Sequence, residues 1–123
     1  MDDASPDRDI HRIGGTSIEN LRLKAQEAAL DPPGISVLKA RSPAEAANQM
    51  RAAYPKAKRL HEAAKVVGSS STDLIRGAGF DVIPTPSRRL PSHHEIMHPD
   101  GAAGFADENL VRLAAAFVNT EGH

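Results

Sequence analysis

The sequence predicts an α+β domain with a small mixed or antiparallel sheet and short helices. Three observations carry this. Short runs of β-branched and apolar residues recur along the chain, most of them bounded by Gly or Pro. Stretches with helical spacing lie between them and bring their own caps. The two kinds of element do not alternate in regular βαβ units and no internal repeat is visible, so neither a doubly wound sheet nor a repeat array fits.

Residues 1–9 are a polar, acidic lead-in, with Asp2, Asp3, Asp7 and Asp9 against Arg8 alone, and are expected to be disordered. Ile10-His11-Arg12-Ile13 reads as a first strand, closed by Gly14-Gly15. From Thr16 to Leu30 the apolar residues keep no clean period, and the segment reads as loop with a helical turn. Asp31-Pro32-Pro33-Gly34 breaks the chain sharply before the strand Ile35-Ser36-Val37-Leu38.

The best-marked helix follows. Ser42 is its cap, Pro43 suits the first position and Glu45 completes a capping box. Ala46, Ala47, Met50 and Ala53 form its buried stripe, and Pro55 stops it. Leu60 to Lys65 carries a second short helix, and Val66-Val67 a brief strand before a serine loop. Residues 71–78 read as a helix with Gly79 past its end, and Phe80-Asp81-Val82-Ile83 as a strand. Pro84 to Pro91 is a stiff basic loop carrying Arg88 and Arg89, followed by a histidine-rich strand. Asp107 caps the last helix, Glu108–Val118, in which Leu110, Leu113, Ala114 and Phe117 recur at helical spacing. The single domain is thus expected over 10–118, with a tail over 119–123.

At 123 residues the chain suffices for one core. With one Tyr, three Phe and no Trp, that core must be aliphatic and rich in alanine. A formal net charge of −1 gives no global attraction to nucleic acid or to an acidic membrane. The absence of Cys removes disulfides and thiolate metal sites, which fits a reducing cytosol. No apolar run reaches the length of a membrane span, and the acidic start is no signal peptide, so export would need a route without a cleaved Sec signal.

The densest chemistry lies in His93-His94-Glu95-Ile96-Met97-His98-Pro99-Asp100-Gly101. As a strand it places His94, Ile96 and His98 on one face and His93, Glu95 and Met97 on the other. Solvated surface explains such a tract as readily as a cleft does. His94-Glu95-Ile96-Met97-His98 also matches the letters of the zinc-binding HExxH helix. Pro91 and Pro99 bracket it too closely for that helix, and Gly104 stands where a third His would fall. On a strand the two His lie about 13 Å apart, so no metal is expected. No G-x-S-x-G elbow marks a serine nucleophile, and no P-loop or G-x-G-x-x-G fingerprint is present. Arg88 with Arg89 could grip a phosphate or an acidic partner, though most such pairs are solvated.

Arg12, from the residue alone, is an outward strand arginine, since Arg rarely points inward without a partner. If Arg12, Ser36 and a glutamate met at one cleft, they would make a site for a phosphate-rich ligand. Arg12 would hold the pyrophosphate, Ser36 would order the framework, and the Glu would stabilise positive charge on a ribose.

That order of Arg, Ser and Glu along short strands resembles the ADP-ribosyltransferase fold. More narrowly, the chain resembles small ADP-ribosyltransferase-like toxins found as type VI secretion effectors and at the C-termini of polymorphic toxins. Ile10-His11-Arg12-Ile13 is similar to that family's first-strand Arg segment. Gly34-Ile35-Ser36-Val37-Leu38 is similar to its Gly-x-Ser-Val-Phe strand. His93 to Pro99 resembles its His-x-x-Ile-Met-Pro strand, with a helix after it. The second hydroxyl residue of the family's second strand is replaced by Ile35, and the late Glu-x-Glu signature is absent, so Glu95 and Glu108 are the candidate acids.

The resemblance implies a toxin acting in a bacterial cytosol, with NAD as substrate and ADP-ribose moved to a macromolecular target. It implies Arg12 and Ser36 as NAD-binding residues, Ser36, His94 and Glu95 as catalytic residues, and a cognate immunity or antitoxin protein that covers the cleft. The alternatives are a non-catalytic interaction module, such as an antitoxin or secretion-linked adaptor, and a metal-dependent hydrolase using His94, Glu95 and His98.

Overall fold

The computed structural model describes residues 8–123. Among these residues six strands, β1 (Ile10–Ile13), β2 (Ile35–Lys39), β3 (Val67–Ser70), β4 (Asp81–Pro84), β5 (His93–Met97) and β6 (Val118–Thr120), form one sheet in the order β4-β5-β2-β1-β3-β6. Every adjacent pair is antiparallel. Among the described residues six α-helices connect them: α1 (Ile18–Leu21), α2 (Ala25–Ala28), α3 (Pro43–Ala53), α4 (Lys58–Ala63), α5 (Thr72–Gly77) and α6 (Asp107–Ala115). The domain is α+β, as the sequence predicts.

The pleat sorts the side chains. On one face, Ile10, Ile35, Val37, Val82 and Ile96 pack with Leu21 of α1, Ile75 of α5, and Leu110 and Leu113 of α6. This is the main core. On the other face, Leu38 packs with Ala46 of α3 and with Leu90, while Val67 packs with Ala47 and Ala64. Alanines let α3 lie close on that side. Ser42 caps α3 by accepting from Glu45 N at 3.1 Å. Ala46 and Ala47 are buried, while Met50 and Ala53 are half-buried against the same cluster.

Several elements differ from expectation. Ser69 and Ser70 lie inside β3, not in a loop. They are tolerated there because each is bonded: Ser69 Oγ lies 2.8 Å from His11 Nδ1, and Ser70 Oγ donates to Ala116 O at 2.7 Å. Ser71 does cap α5 through Leu74 N. Ala106, not Asp107, occupies the N-cap of α6, because Asp107 is drawn into a bidentate pair with Arg22. α6 ends at Ala115, and the chain turns back as β6 beside β3. The stretch 119–123 is therefore no free tail at its start. Asn119 Oδ1 accepts from Thr16 N at 2.9 Å and from Thr16 Oγ1 at 3.1 Å. Of the lead-in expected over 1–9, residues 1–7 lie outside the described residues. Arg8 is anchored, donating to Ser69 O and Ala116 O at 3.2 and 3.1 Å.

Candidate functional site

The site begins where two strands part. β1 pairs with β2 only at Ile10↔Lys39 and His11↔Leu38. β1 stays on β3 as far as Ile13, and β2 stays on β5 from Leu38 back to Ile35. The sheet thus splits after His11, and main-chain groups in the gap need other partners. Arg12 supplies them. Its Nη1 donates to Ser36 O at 2.8 Å and to Glu27 Oε2 at 3.0 Å, and its Nη2 donates to Asn20 O at 2.8 Å. Glu27 closes the opposite side, accepting from Ser36 N at 2.8 Å and from Lys24 N at 3.0 Å.

Arg12 is therefore buried, against the outward reading of the residue. Its partner Glu27 lies in the segment 16–30, where no period marks it. The demand that a buried Arg find a carboxylate is the signal that could have found it. Among the described residues, Arg12 Nε is the buried side-chain polar atom without a hydrogen-bond partner.

Beside this junction lies a cleft of about 540 Å³. Its floor is the sheet face that carries His11, Ser36, Leu38, His93 and Glu95, and its walls include α2 and α4. Ser36 and Glu95 are direct register partners across β2 and β5. Lys24 and Arg59 add positive charge among the lining residues. Arg12, Ser36 and Glu95 thus meet at one cleft.

Glu95 is 6% exposed, and no hydrogen bond from another described residue reaches its carboxylate. Gly34 packs directly on it: a Cβ there would lie 3.1 Å from Glu95 Cβ and 3.3 Å from its Oε1. Burial pushes the Glu95 carboxyl above its ordinary range, His93 offsets part of this, and Glu27 adds to it as a like charge. Such a carboxyl can hold a proton for a leaving group or, ionised, sit against developing positive charge.

His94 does not join this site. It points to the other face of β5, as strand alternation requires, and its Nδ1 donates to Ser92 O at 2.8 Å. His93 takes its place beside Glu95, with Nδ1 2.8 Å from Thr85 Oγ1. His11 is a further cleft residue that the sequence did not single out. Its Nε2–H donates to Ala40 O at 2.8 Å, so Nδ1 accepts from Ser69 Oγ. Burial lowers its pKa and favours this neutral form.

The HExxH letters fall on a strand and the residue after it, not on a helix: His94 to Met97 lie in β5 and His98 follows its end. His98 instead stacks edge-on against Phe80, with centroids 5.0 Å apart, and lies over Gly104. Among the described residues, no group of three or more His, Asp or Glu is placed to hold a metal ion, and no helix is long and apolar enough to cross a membrane. Arg89 lies over the Tyr54 ring at 5.3 Å, and neither it nor Arg88 lines the cleft. Glu108, the other candidate acid, is exposed on α6 and lies outside the cleft lining. No family model, characterised protein or solved structure matches the chain.

Proposed function

We propose that the cleft is the active site of a small toxin with an ADP-ribosyltransferase-like fold, which takes NAD as substrate and moves ADP-ribose to a macromolecular target in a bacterial cytosol. The observation that supports this most is Glu95, a residue only 6% exposed whose carboxylate accepts no hydrogen bond from another described residue and opens on the cleft, paired in register with Ser36 on the cleft floor. The order of the stations is also that of the resemblance: Arg on β1, Ser on β2, the His-rich strand at β5, then a helix.

In this reading Glu95, ionised, opposes the positive charge that gathers on the ribose as the nicotinamide–ribose bond breaks. The bond's electron pair leaves with nicotinamide, and a nucleophile of the target bonds to the ribose carbon. Ser36 orders the floor through its main chain, and Lys24 and Arg59 meet the phosphates. A cognate immunity or antitoxin protein would act by covering the cleft.

One observation favours a second reading, a non-catalytic interaction module. Both Nη atoms of Arg12 are taken by Glu27, Ser36 O and Asn20 O, so the arginine expected to grip pyrophosphate is already engaged. A single experiment separates the two. Purified protein is incubated with NAD labelled in the adenylate and with a bacterial lysate, alongside Glu95→Gln. The transferase reading expects label in macromolecules or released nicotinamide, reduced at least about hundredfold in the variant, the usual range for loss of a charge-stabilising group. Label transfer equal in both proteins removes Glu95 from the proposed role, and no transfer by folded wild type leaves the interaction module.

A further inference from the structure

We propose that Glu27 is a latch: it holds Arg12 and keeps α2 closed over the cleft, and an anionic group that takes Arg12 releases α2 as a flap. The inference rests on the reading of the cleft as a site for a phosphate-bearing substrate and concerns how that site opens.

α2 is one turn long, and Glu27 is its single buried residue, with Ala25, Gln26 and Ala28 exposed. A lone turn has almost no stability of its own, and no buried apolar side chain of α2 fixes it to the body. Its attachment is therefore mainly polar and local. α2 nonetheless forms a wall of the cleft, through Gln26 and Glu27, and Leu30 extends that wall just beyond it. Displacing α2 widens the cleft directly above Arg12.

The attachment is also replaceable. Glu27 Oε2 accepts from Arg12 Nη1 and from Ser36 N at 3.0 and 2.8 Å. A phosphate oxygen is an acceptor for the same two donors. Arg12 Nε is a donor that Glu27 does not use, and a tetrahedral phosphate can accept from two sides of a guanidinium where this single carboxylate oxygen accepts from one.

Release also changes the charge of the site. With Glu27 in place, the Arg12 charge is neutralised. With Glu27 withdrawn, Arg12, Lys24 and Arg59 leave the cleft cationic. Glu27 is also a like charge that opposes ionisation of Glu95, and His93 acts in the opposite sense. Opening the latch therefore favours the ionised Glu95 that the proposed chemistry needs.

Amide hydrogen exchange tests this on the wild-type chain, with and without inorganic pyrophosphate, and on Glu27→Gln. Pyrophosphate is expected to speed exchange at Lys24 and Ala28 by at least about tenfold while β3 and β5 stay protected, the signature of local opening. Glu27→Gln is expected to show that fast exchange without pyrophosphate, and to bind pyrophosphate about tenfold more tightly by calorimetry, since no closed state competes. Pyrophosphate that slows those amides in wild type, or that fails to bind either protein, overturns the latch. So does a variant whose sheet amides all exchange faster, since Glu27 is then a structural pillar. The wild-type arm decides the matter if the variant does not fold. Latch behaviour without NAD turnover would overturn the transferase reading and leave the latch standing.

Discussion

Arg12 Nη1 donates to Glu27 Oε2 at 3.0 Å, and both side chains are only 8% exposed. In the closed state each charge compensates the other. Read as an outward strand residue, Arg12 could be removed for under about 0.5 kcal/mol. Burial reverses that expectation. Arg12→Ala is predicted to cost about 1.5–3 kcal/mol in urea unfolding, because it removes the charged hydrogen bonds to Glu27, Ser36 O and Asn20 O. That is a large part of a typical total of about 5–15 kcal/mol. The double variant Arg12→Met with Glu27→Leu should recover at least half of the loss. A single-variant cost below about 1 kcal/mol would contradict the buried pair.

Glu95 predicts a pH dependence with a definite sign. Its carboxyl is raised from the ordinary 4.5 by burial, with Glu27 adding to the shift and His93 reducing it. The native state therefore keeps a proton in a window where the unfolded chain has lost it. Stability must fall as pH rises from about 4.5 through the folded value. Glu95→Gln removes that fall. The variant should melt higher than wild type at neutral pH, and the gap should close on acidification below about pH 4.5. A gap that widens on acidification would show that the ionised form is the one stabilised.

Arg22 and Asp107 tie α1 to α6 through two hydrogen bonds of 3.1 and 2.7 Å. Both side chains are more than half exposed. Asp107→Ala should cost little, and most of that loss should vanish in 1 M salt, where the Debye length is about 3 Å. Thermal melts at low and high salt check this. A salt-independent loss would point to the first turn of α6 instead.

Gly104 admits the ring of His98, and a Cβ there would overlap the ring at His98 Cγ. Gly104→Ala must push the ring off Phe80, at a predicted cost of about 1–3 kcal/mol. His98→Ala in the same chain should restore most of it. Additive losses in the double variant would refute the contact.

What was legible in the sequence was local. Ser42, Pro43 and Glu45 mark α3 by chemistry that acts within one turn. Alternation puts His93 with Glu95 and His94 opposite, whatever the rest of the fold does. His94 is a candidate through the resemblance, and the pleat alone removes it. Ser69 and Ser70 carry no such local mark. They read as loop because their partners, His11 and Ala116, lie 58 and 46 residues away. Glu27 was hidden for the same reason, since a short turn has no period and its carboxylate acquires meaning only when the split between β1 and β2 buries Arg12.

The last strand has a consequence for how the chain tolerates being shortened. β6 is only three residues long, and at the far end of the sheet β4 closes with Pro84, which cannot donate to a ladder. Both borders thus discourage a foreign strand from adding on. Removing residues 118–123 would uncover β3, a stretch of Val67, Gly68 and two serines without an exposed charge or a proline to guard it. Such a clipped chain should self-associate through that open border, even with its main core untouched.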